Sequence, residues 1–404
     1  MLKNVVVVSD FGYINGGNSK VALDNALALS QKYNVYLFIG ESKVDERITN
    51  SNIKVITTDS VEFMKRDSKA KAFLKFVYDK DVYKKFDVFL KTLNKDETII
   101  HIHSWPKVLS PSILKAIYKN SFKTLITCHD YFSVCPNGGL YNYKKNSICN
   151  CQNRCSCFFK NCDSRSYIYK MVRNARFSIQ QRYMKKVYRK GLLNFGIISK
   201  SQEPHFKNKF PKAGYYYIPN NIDLYKGNPI EANKNKNFAY IGRLSEEKGV
   251  DRLISIFKKL PQYKLDVVGD GDLMDRYKNN PISNVVFHGW KTKPEINKLL
   301  EDVRCLVFPS VWYEGSPLTI PEVMSAGIPA LVSKVCNGKD FIDDGVNGWL
   351  VDVNNEDEFI SKIEMIAESD ISKVSSNARK IVNNYSSKIY DHLFDALEGI
   401  MTRG

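Results

Sequence analysis

Glu314 and Glu322 stand with seven residues between them, in the run Tyr313-Glu314-Gly315-Ser316-Pro317-Leu318-Thr319-Ile320-Pro321-Glu322. A small-residue loop and the start of a helix lie between the two carboxylates. Free backbone N–H groups, a helix N-terminus and two acids around one small volume suit a polyol that carries a phosphate. Thr319 and Glu322 also fit a capping box, with Pro321 in the first turn, so Glu322 has a purely structural explanation as well. Glu314 has no such explanation, because it precedes the loop and lies on no helix face. A second set of groups is found in Gly242-Arg243-Leu244-Ser245-Glu246-Glu247-Lys248-Gly249. A strand ending in Gly-Arg, a loop carrying Lys248 and a helix starting near Gly249 would aim Arg243 and Lys248 from the strand's carboxyl end. Two fixed cations there can bind a diphosphate and stabilise it as a leaving group without a metal. The competing reading is a surface ion pair with Glu246 or Glu247.

The elements that must position these groups alternate between short apolar runs and helical patterns, which predicts an α/β fold with parallel sheets. Strands are expected at 5–8, 35–39, 54–57, 99–103, 125–128, 195–199 and 216–219, and again at 238–241, 264–268, 285–288, 305–309, 330–333 and 349–351. The series pauses over 220–236, an Asn/Lys-rich stretch that reads as a linker. Two doubly wound, Rossmann-like domains facing an interdomain cleft are therefore expected. Their bounds are 1–222, with a Cys-rich insert at about 135–162, and 223–385; a helix in 386–404 is expected to pack back on the first domain. At 404 residues the chain is too long for one ordinary core, and with only 14 Pro and 22 Gly it carries no long disordered tract.

The formal net charge of +17 points to polyanionic partners or to a Lys-rich solvated surface. No nucleic-acid motif accompanies it, so nucleic acid is not expected as a partner. The first residues do not read as a signal peptide, and no apolar run is long enough to span a bilayer. A cytoplasmic protein is expected, peripheral at the inner face of the membrane. In a reducing compartment, Cys149, Cys151, Cys155, Cys157 and Cys162, with Cys135 nearby, could hold a structural zinc, although their spacing departs from the usual paired knuckles. Cys128, Cys305 and Cys336 read as inert core residues. From Arg165 to Lys190 a basic stretch without acidic residues predicts a helix that either lies on an anionic bilayer or serves as scaffold with a solvated face. His103, His205 and His288 read as packed histidines.

These motifs, together with Ala326-Gly327-Ile328-Pro329, Val268-Gly269-Asp270-Gly271, Phe287-His288-Gly289, Asn347-Gly348, Gly16-Gly17, His129-Asp130 and Ile218-Pro219-Asn220, resemble glycosyltransferase family 4, retaining enzymes of GT-B fold. The likeness is dense over 238–352 and patchy before it. It implies that Arg243 and Lys248 bind the donor diphosphate, Glu314 the transferred sugar and Glu322 the ribose. Ser316, Pro317 and Leu318 would line the phosphate and sugar pocket, with Gly289 and Trp290 near the base. His129 would be the catalytic histidine, and Gly16 and Gly17 the loop at the donor phosphates. A nucleotide-sugar donor, UDP being the expected nucleotide, and an oligosaccharide or polyprenyl-linked acceptor follow, in cell-surface polysaccharide assembly and without a metal for catalysis. Asp270-Gly271-Asp272 is read as a turn, not a metal motif. Two positions depart from the family: Asn221 stands where a glycine is usual, and Tyr13-Ile14-Asn15 carries no proline. A sugar-nucleotide epimerase and a degenerate partner subunit are the alternatives.

Overall fold

Val5, Val6, Val7 and Val8 are each fully buried. A strand with no solvent face needs cover on both sides, which selects a parallel sheet between helices. The computed structural model describes residues 1–63, 69–151, 154–278, 281–386 and 388–403. The chain divides into two compact units, one of Met1–Gly138, Cys151–Asn221 and Ile389–Gly404, the other of Gly139–Asn150 and Ile222–Lys388.

The chain begins with β1 (Asn4–Ser9), α1 (Gly17–Leu29), β2 (Asn34–Ile39), α2 (Glu46–Thr49), β3 (Lys54–Thr57), α3 (Lys69–Val77) and α4 (Lys80–Leu90). It continues with β4 (Thr98–Ile102), α5 (Ser112–Asn120), β5 (Lys123–Thr127) and a small hairpin of β6 (Tyr141–Asn142) and β7 (Ser147–Ile148). Then come α6 (Arg154–Phe159), α7 (Tyr167–Arg189), β8 (Leu193–Ile197), α8 (Glu203–Lys207) and β9 (Gly214–Tyr217). The first unit's sheet has the order β3-β2-β1-β4-β5-β8-β9. Every neighbouring pair in it is parallel. The order reverses between β1 and β4, and there the connections leave the strands' carboxyl ends in opposite directions and open a crevice.

The second unit holds β10 (Asn237–Ile241), α9 (Val250–Lys259), β11 (Leu265–Val268), α10 (Met274–Lys278), β12 (Val285–Gly289), α11 (Lys293–Leu300) and β13 (Val303–Phe308). After these come α12 (Thr319–Met324), β14 (Ala330–Ser333), β15 (Trp349–Val351), α13 (Glu356–Glu368) and α14 (Ser372–Ser386). Its sheet, β12-β11-β10-β13-β14-β15, repeats the same reversal between β10 and β13. Val250, Leu253, Ile254 and Phe257 are buried on one face of α9, as their spacing predicts. Each of the thirteen expected strands is present, offset by at most two residues.

Three expectations change, and one of two alternatives is met. The hairpin at 139–150 belongs to the second unit, where buried Tyr141 packs edge-on against Trp312 at 6.4 Å, so the Cys-rich insert does not stay whole within the first. The segment read as a linker is docked instead: Tyr225 N–H donates to Ser325 Oγ at 2.8 Å and Ile230 N–H to the Ala326 carbonyl at 2.8 Å. Helix α12 begins at Thr319, with Leu318 at its N-cap and no side-chain cap, so no capping box forms with Glu322. The basic stretch forms α7, whose buried face carries Lys170, Arg176, Phe177 and Met184. It is a packed helix with a solvated basic face, as the scaffold reading expects: Lys170 and Arg176 are buried, while Arg182, Lys185 and Arg189 are exposed.

The last helix, α15 (Ile389–Thr402), completes the first unit. Leu393, Ala396, Leu397 and Ile400 join Val5, Val7, Leu23, Leu37 and Leu125 in one apolar cluster. Leu397 is fully buried. Leu397→Ala removes its methyls and leaves a void, so urea denaturation should report a loss of about 2–5 kcal/mol.

Candidate active site

Phe308 closes β13, Ile241 closes β10, and the two strands pair in parallel. The loops that leave their carboxyl ends therefore emerge side by side at the strand-order reversal. Gly249 makes that approach close. Its φ is 72°, and a Cβ there would lie 2.1 Å from the Pro309 carbonyl oxygen, so only glycine lets the Lys248 loop lie against the β13 exit.

Across this junction Lys248 Nζ donates to both oxygens of Glu314, at 2.8 and 2.7 Å. Ser310 Oγ donates to Glu314 Oε1 at 2.6 Å. Asn337 Nδ2 holds the Glu314 main-chain carbonyl. The pair is well buried, with side chains 17% exposed for Lys248 and 8% for Glu314. A carboxylate offers about four acceptor positions and an ammonium three donors. Three of the acceptor positions are used, so one remains for a ligand hydroxyl, while the ammonium keeps one donor for a phosphate oxygen. Arg243 pairs with Glu247, whose Oε1 also accepts from Ser245 Oγ at 2.9 Å. The expected competing ion pair thus exists, but it is unequal: Glu247 is buried while Arg243 is 62% exposed. The guanidinium can meet an anion from solvent without leaving its partner.

Ser316 Oγ is buried without a hydrogen-bond partner among the described residues, as is Trp312 Nε1. A buried hydroxyl and a buried indole N–H beside Glu314 are the kind of orphaned groups that a ligand satisfies. Pro317 is buried behind that loop and Leu318 half-buried. Glu322, on the first turn of α12, pairs with Lys293 at 2.8 Å rather than capping its helix. Gly289 ends β12 with φ 67°, and Trp290 follows it 72% exposed, an open aromatic face. Ser310 and Asn337 escaped the sequence reading; neither carries a motif signal, and only folding brings them to Glu314.

The first unit carries its own cluster. His103 Nδ1 and His129 Nε2 are 2.9 Å apart and share one proton. His101 lies against His103 with ring centroids 4.2 Å apart and the rings tilted by 46°, and it bonds Thr127 Oγ1 at 2.8 Å. Burial favours the neutral imidazole, lowering His129 to about 4 and His101 to about 3, and it drives His103 well down. Burial raises Asp130 to about 6. Gly16 caps α1 with φ 120°, and no atom lies within 4 Å of a Cβ built on Gly16 or Gly17, so the loop leaves open space at the helix start.

The cysteines of the insert divide between the units, and Cys135, Cys157 and Cys162 lie around the Lys170 ammonium. Cys149 lies in the second unit; Cys151, Cys157 and Cys162 lie in the first. Cys135 Sγ donates to Asn137 Oδ1 at 3.0 Å, and Asn137 Nδ2 reaches Cys162 Sγ at 3.4 Å. Among the described residues no three His, Cys, Asp or Glu side chains converge as a metal site, and the Cys155 side chain lies outside the described residues. His288 bonds Asp266 at 2.8 Å, and His205 stands edge-on to Tyr131 at 5.4 Å; both are packed, as expected.

Solved structures share this architecture. HepE of Anabaena bound to UDP and glucose aligns with 98% of this chain and 100% of its own, at TM-score 0.63 and 17% identity. Sucrose-phosphate synthase of Thermosynechococcus elongatus aligns with 98% of this chain and 100% of its own, at TM-score 0.66 and 17% identity. The fold is GT-B. Residues 222–387, which carry the Lys248–Glu314 pair, match the family described as glycosyl transferases group 1. The Escherichia coli UDP-Gal:alpha-D-GlcNAc-diphosphoundecaprenol alpha-1,3-galactosyltransferase is 29% identical over 195 residues, 42% of this chain and 50% of that protein. The poly(ribitol-phosphate) alpha-N-acetylglucosaminyltransferase of Staphylococcus aureus is 27% identical over 48% of this chain and 41% of that protein. The chain spans about half or less of the length of these curated relatives.

The buried histidines set a pH signature. A histidine with a lowered folded pKa contributes stability that is fully present above 6.5 and is lost as pH falls, toward about 4 for His129 and about 3 for His101. Asp130, raised to about 6, acts in the opposite sense between its ordinary 3.8 and that value. Melting temperatures taken from pH 7 to 4 should therefore fall less steeply for His101→Gln than for the wild type.

Proposed function

We propose that the protein is a metal-independent, retaining glycosyltransferase of family 4. It moves a sugar from a nucleotide-sugar, UDP being the expected nucleotide, to a saccharide or lipid-linked saccharide in cell-surface polysaccharide assembly. The observation that carries this is the buried Lys248–Glu314–Ser310 cluster at the carboxyl ends of β10 and β13, inside the segment that matches glycosyl transferases group 1.

In this reading Lys248 and Arg243 take the donor diphosphate. As the glycosidic bond lengthens, negative charge grows on the departing phosphate oxygens, and two preplaced cations stabilise that growth. Glu314 has a second task. It locks the Lys248 ammonium by a two-oxygen contact and offers its remaining lone pair to a sugar hydroxyl. The Ser316 hydroxyl finds its partner on the ligand, Glu322 receives the ribose, and Trp290 offers its exposed face to the base. Neutral His129 and the Gly16-Gly17 loop are the first unit's contributions. The acceptor hydroxyl attacks as the nucleotide leaves, and its proton passes to a donor phosphate oxygen. The structural zinc expected on Cys149, Cys151, Cys155, Cys157 and Cys162 belongs to the same proposal; stoichiometric zinc in protein purified without chelators supports it, and its absence there removes it. Activity abolished by EDTA and restored only by Mn²⁺ or Mg²⁺ would overturn metal independence.

The Lys248–Glu314 pair separates structural from catalytic roles. Lys248→Met leaves Glu314 buried and uncompensated, so stability should drop by about 3 kcal/mol. The double variant K248M/E314L should regain much of that loss. Both should lower sugar transfer by about a hundredfold or more. Glu314→Gln should retain the UDP-induced rise in melting temperature yet lose transfer by a similar factor. Undiminished transfer by Glu314→Gln, or no stabilisation by UDP, GDP or ADP, would overturn the reading.

A further inference from the structure

The second unit holds a cavity of about 610 Å³, walled by the docked segment 229–234, the turn at Gly327 and helix α14. Segment 229–234 leads into β10, and Gly327 leads into β14. Just past the segment, Asn235 Nδ2 donates to the carbonyl of Val303, the first residue of β13, at 3.2 Å. The cavity therefore lies at the amino ends of these parallel strands. Lys248 and Glu314 lie at the carboxyl ends of β10 and β13, a strand length of about 17–20 Å away. The walls are tied to one another. Ile230 N–H donates to the Ala326 carbonyl at 2.8 Å, Ile371 N–H to Asn233 Oδ1 at 2.8 Å, and Ser375 Oγ to the Gly327 carbonyl. Such a cavity is built before any ligand arrives.

Helix α14 faces the cavity with Ser372, Ser376, Arg379, Lys380 and Asn383. Steps of three or four residues put these hydroxyls, cations and amide on one helix face, while Ala378 and Val382 are buried on another. The ordinary explanation of such a stripe is a solvated surface, and Arg379 departs from it. Its side chain is half-buried, and its Nη1 is fully buried without a hydrogen-bond partner among the described residues. A guanidinium with an idle, buried donor at a cavity wall lacks an oxygen that the protein does not supply. Neither Arg379 nor Lys380 forms an ion pair among the described residues. Lys234, also on the lining, already pairs with Glu231 at 2.6 Å, and Glu231 is the one acid among the described lining residues. Two cations are thus left in excess. They match a phosphomonoester, whose charge at neutral pH is about −1.5 to −2.

We propose that this cavity is a second ligand site, which binds a phosphorylated sugar. Arg379 and Lys380 take the phosphomonoester oxygens, with the Arg379 fork supplying the buried Nη1 donor. Ser372, Ser376 and Asn383 offer both donors and acceptors to the sugar hydroxyls. The charge balance selects a phosphomonoester, and the alternation of hydroxyl, cation and amide along α14 selects a polyol to carry it. The site stands at the opposite end of the strands from Lys248 and Glu314, so a ligand bound to that pair does not compete for it. The proposal does not rest on the transferase reading, because it uses no residue of that site.

Calorimetric titration of the full-length protein with glucose 6-phosphate, glucose and inorganic phosphate tests it. Glucose 6-phosphate should bind at a single site, at least about tenfold more tightly than either glucose or inorganic phosphate. Arg379→Gln and Lys380→Glu should each weaken that binding by about tenfold or more, with the melting temperature of the free protein unchanged. Lys380 is exposed, so its variant reads the site even where Arg379→Gln disturbs folding. Saturating UDP should leave the affinity for glucose 6-phosphate as it was, and stabilisation by UDP should be the same in both variants. No binding of glucose 6-phosphate, equal binding of glucose or inorganic phosphate, displacement by UDP, or wild-type affinity in both variants would overturn the proposal. Absence of UDP stabilisation from the wild type would count against the transferase reading alone.

Discussion

Lys248 and Glu314 lie far apart in sequence and meet because two parallel strands end together. That contact organises the second unit's chemistry. It joins the loop after β10 to the loop after β13, and it depends on Gly249 allowing the backbones to touch. It also draws in Ser310 and Asn337 as supports. A buried ion pair is a poor source of net stability, since desolvation offsets most of the attraction. Its persistence here is better understood as positioning: an ammonium fixed at a strand-order reversal, where α/β sheets bind ligands. The orphaned Ser316 hydroxyl beside it fits the same logic, because the fold leaves polar capacity for a guest.

The two units apply one plan with different chemistry. In each, the sheet starts in its middle, winds outward and returns, so the first and fourth strands flank a crevice. The second unit lines that position with an ion pair and small loops. The first lines it with a glycine loop, stacked neutral histidines and an arginine sandwiched between rings. The second unit's group suits charge that changes during a reaction.

The fold was legible because strand periodicity and buried valine runs are local signals: every sheet strand of the two units could be read from residues that neighbour one another in sequence. Arg243, Lys248 and Glu314 were legible for a related reason, since each lies in a short motif. Two errors and one gap share the opposite cause. Thr319 and Glu322 carry a capping-box pattern, yet docking against the protein starts the helix at Thr319 and leaves Glu322 to Lys293. The hairpin at 139–150 is too short to show a period, and tertiary packing on Trp312 decides where it goes. Which cations of α7 turn inward was not legible, because charge was counted without direction. Lys170 and Arg176 face inward, which three-dimensional neighbours alone determine.

The placement of α15 bears on how the chain is made. The second unit's main segment, Ile222–Lys388, is inserted into the first, whose core lacks Leu393, Leu397 and Ile400 until α15 emerges. At ribosomal speeds of about 5–20 residues per second, an insertion of that length delays closure by roughly ten seconds or more. Through that interval the apolar surface of Val5, Val7 and Leu125 that α15 covers stays bare. Emergence of α15 closes it.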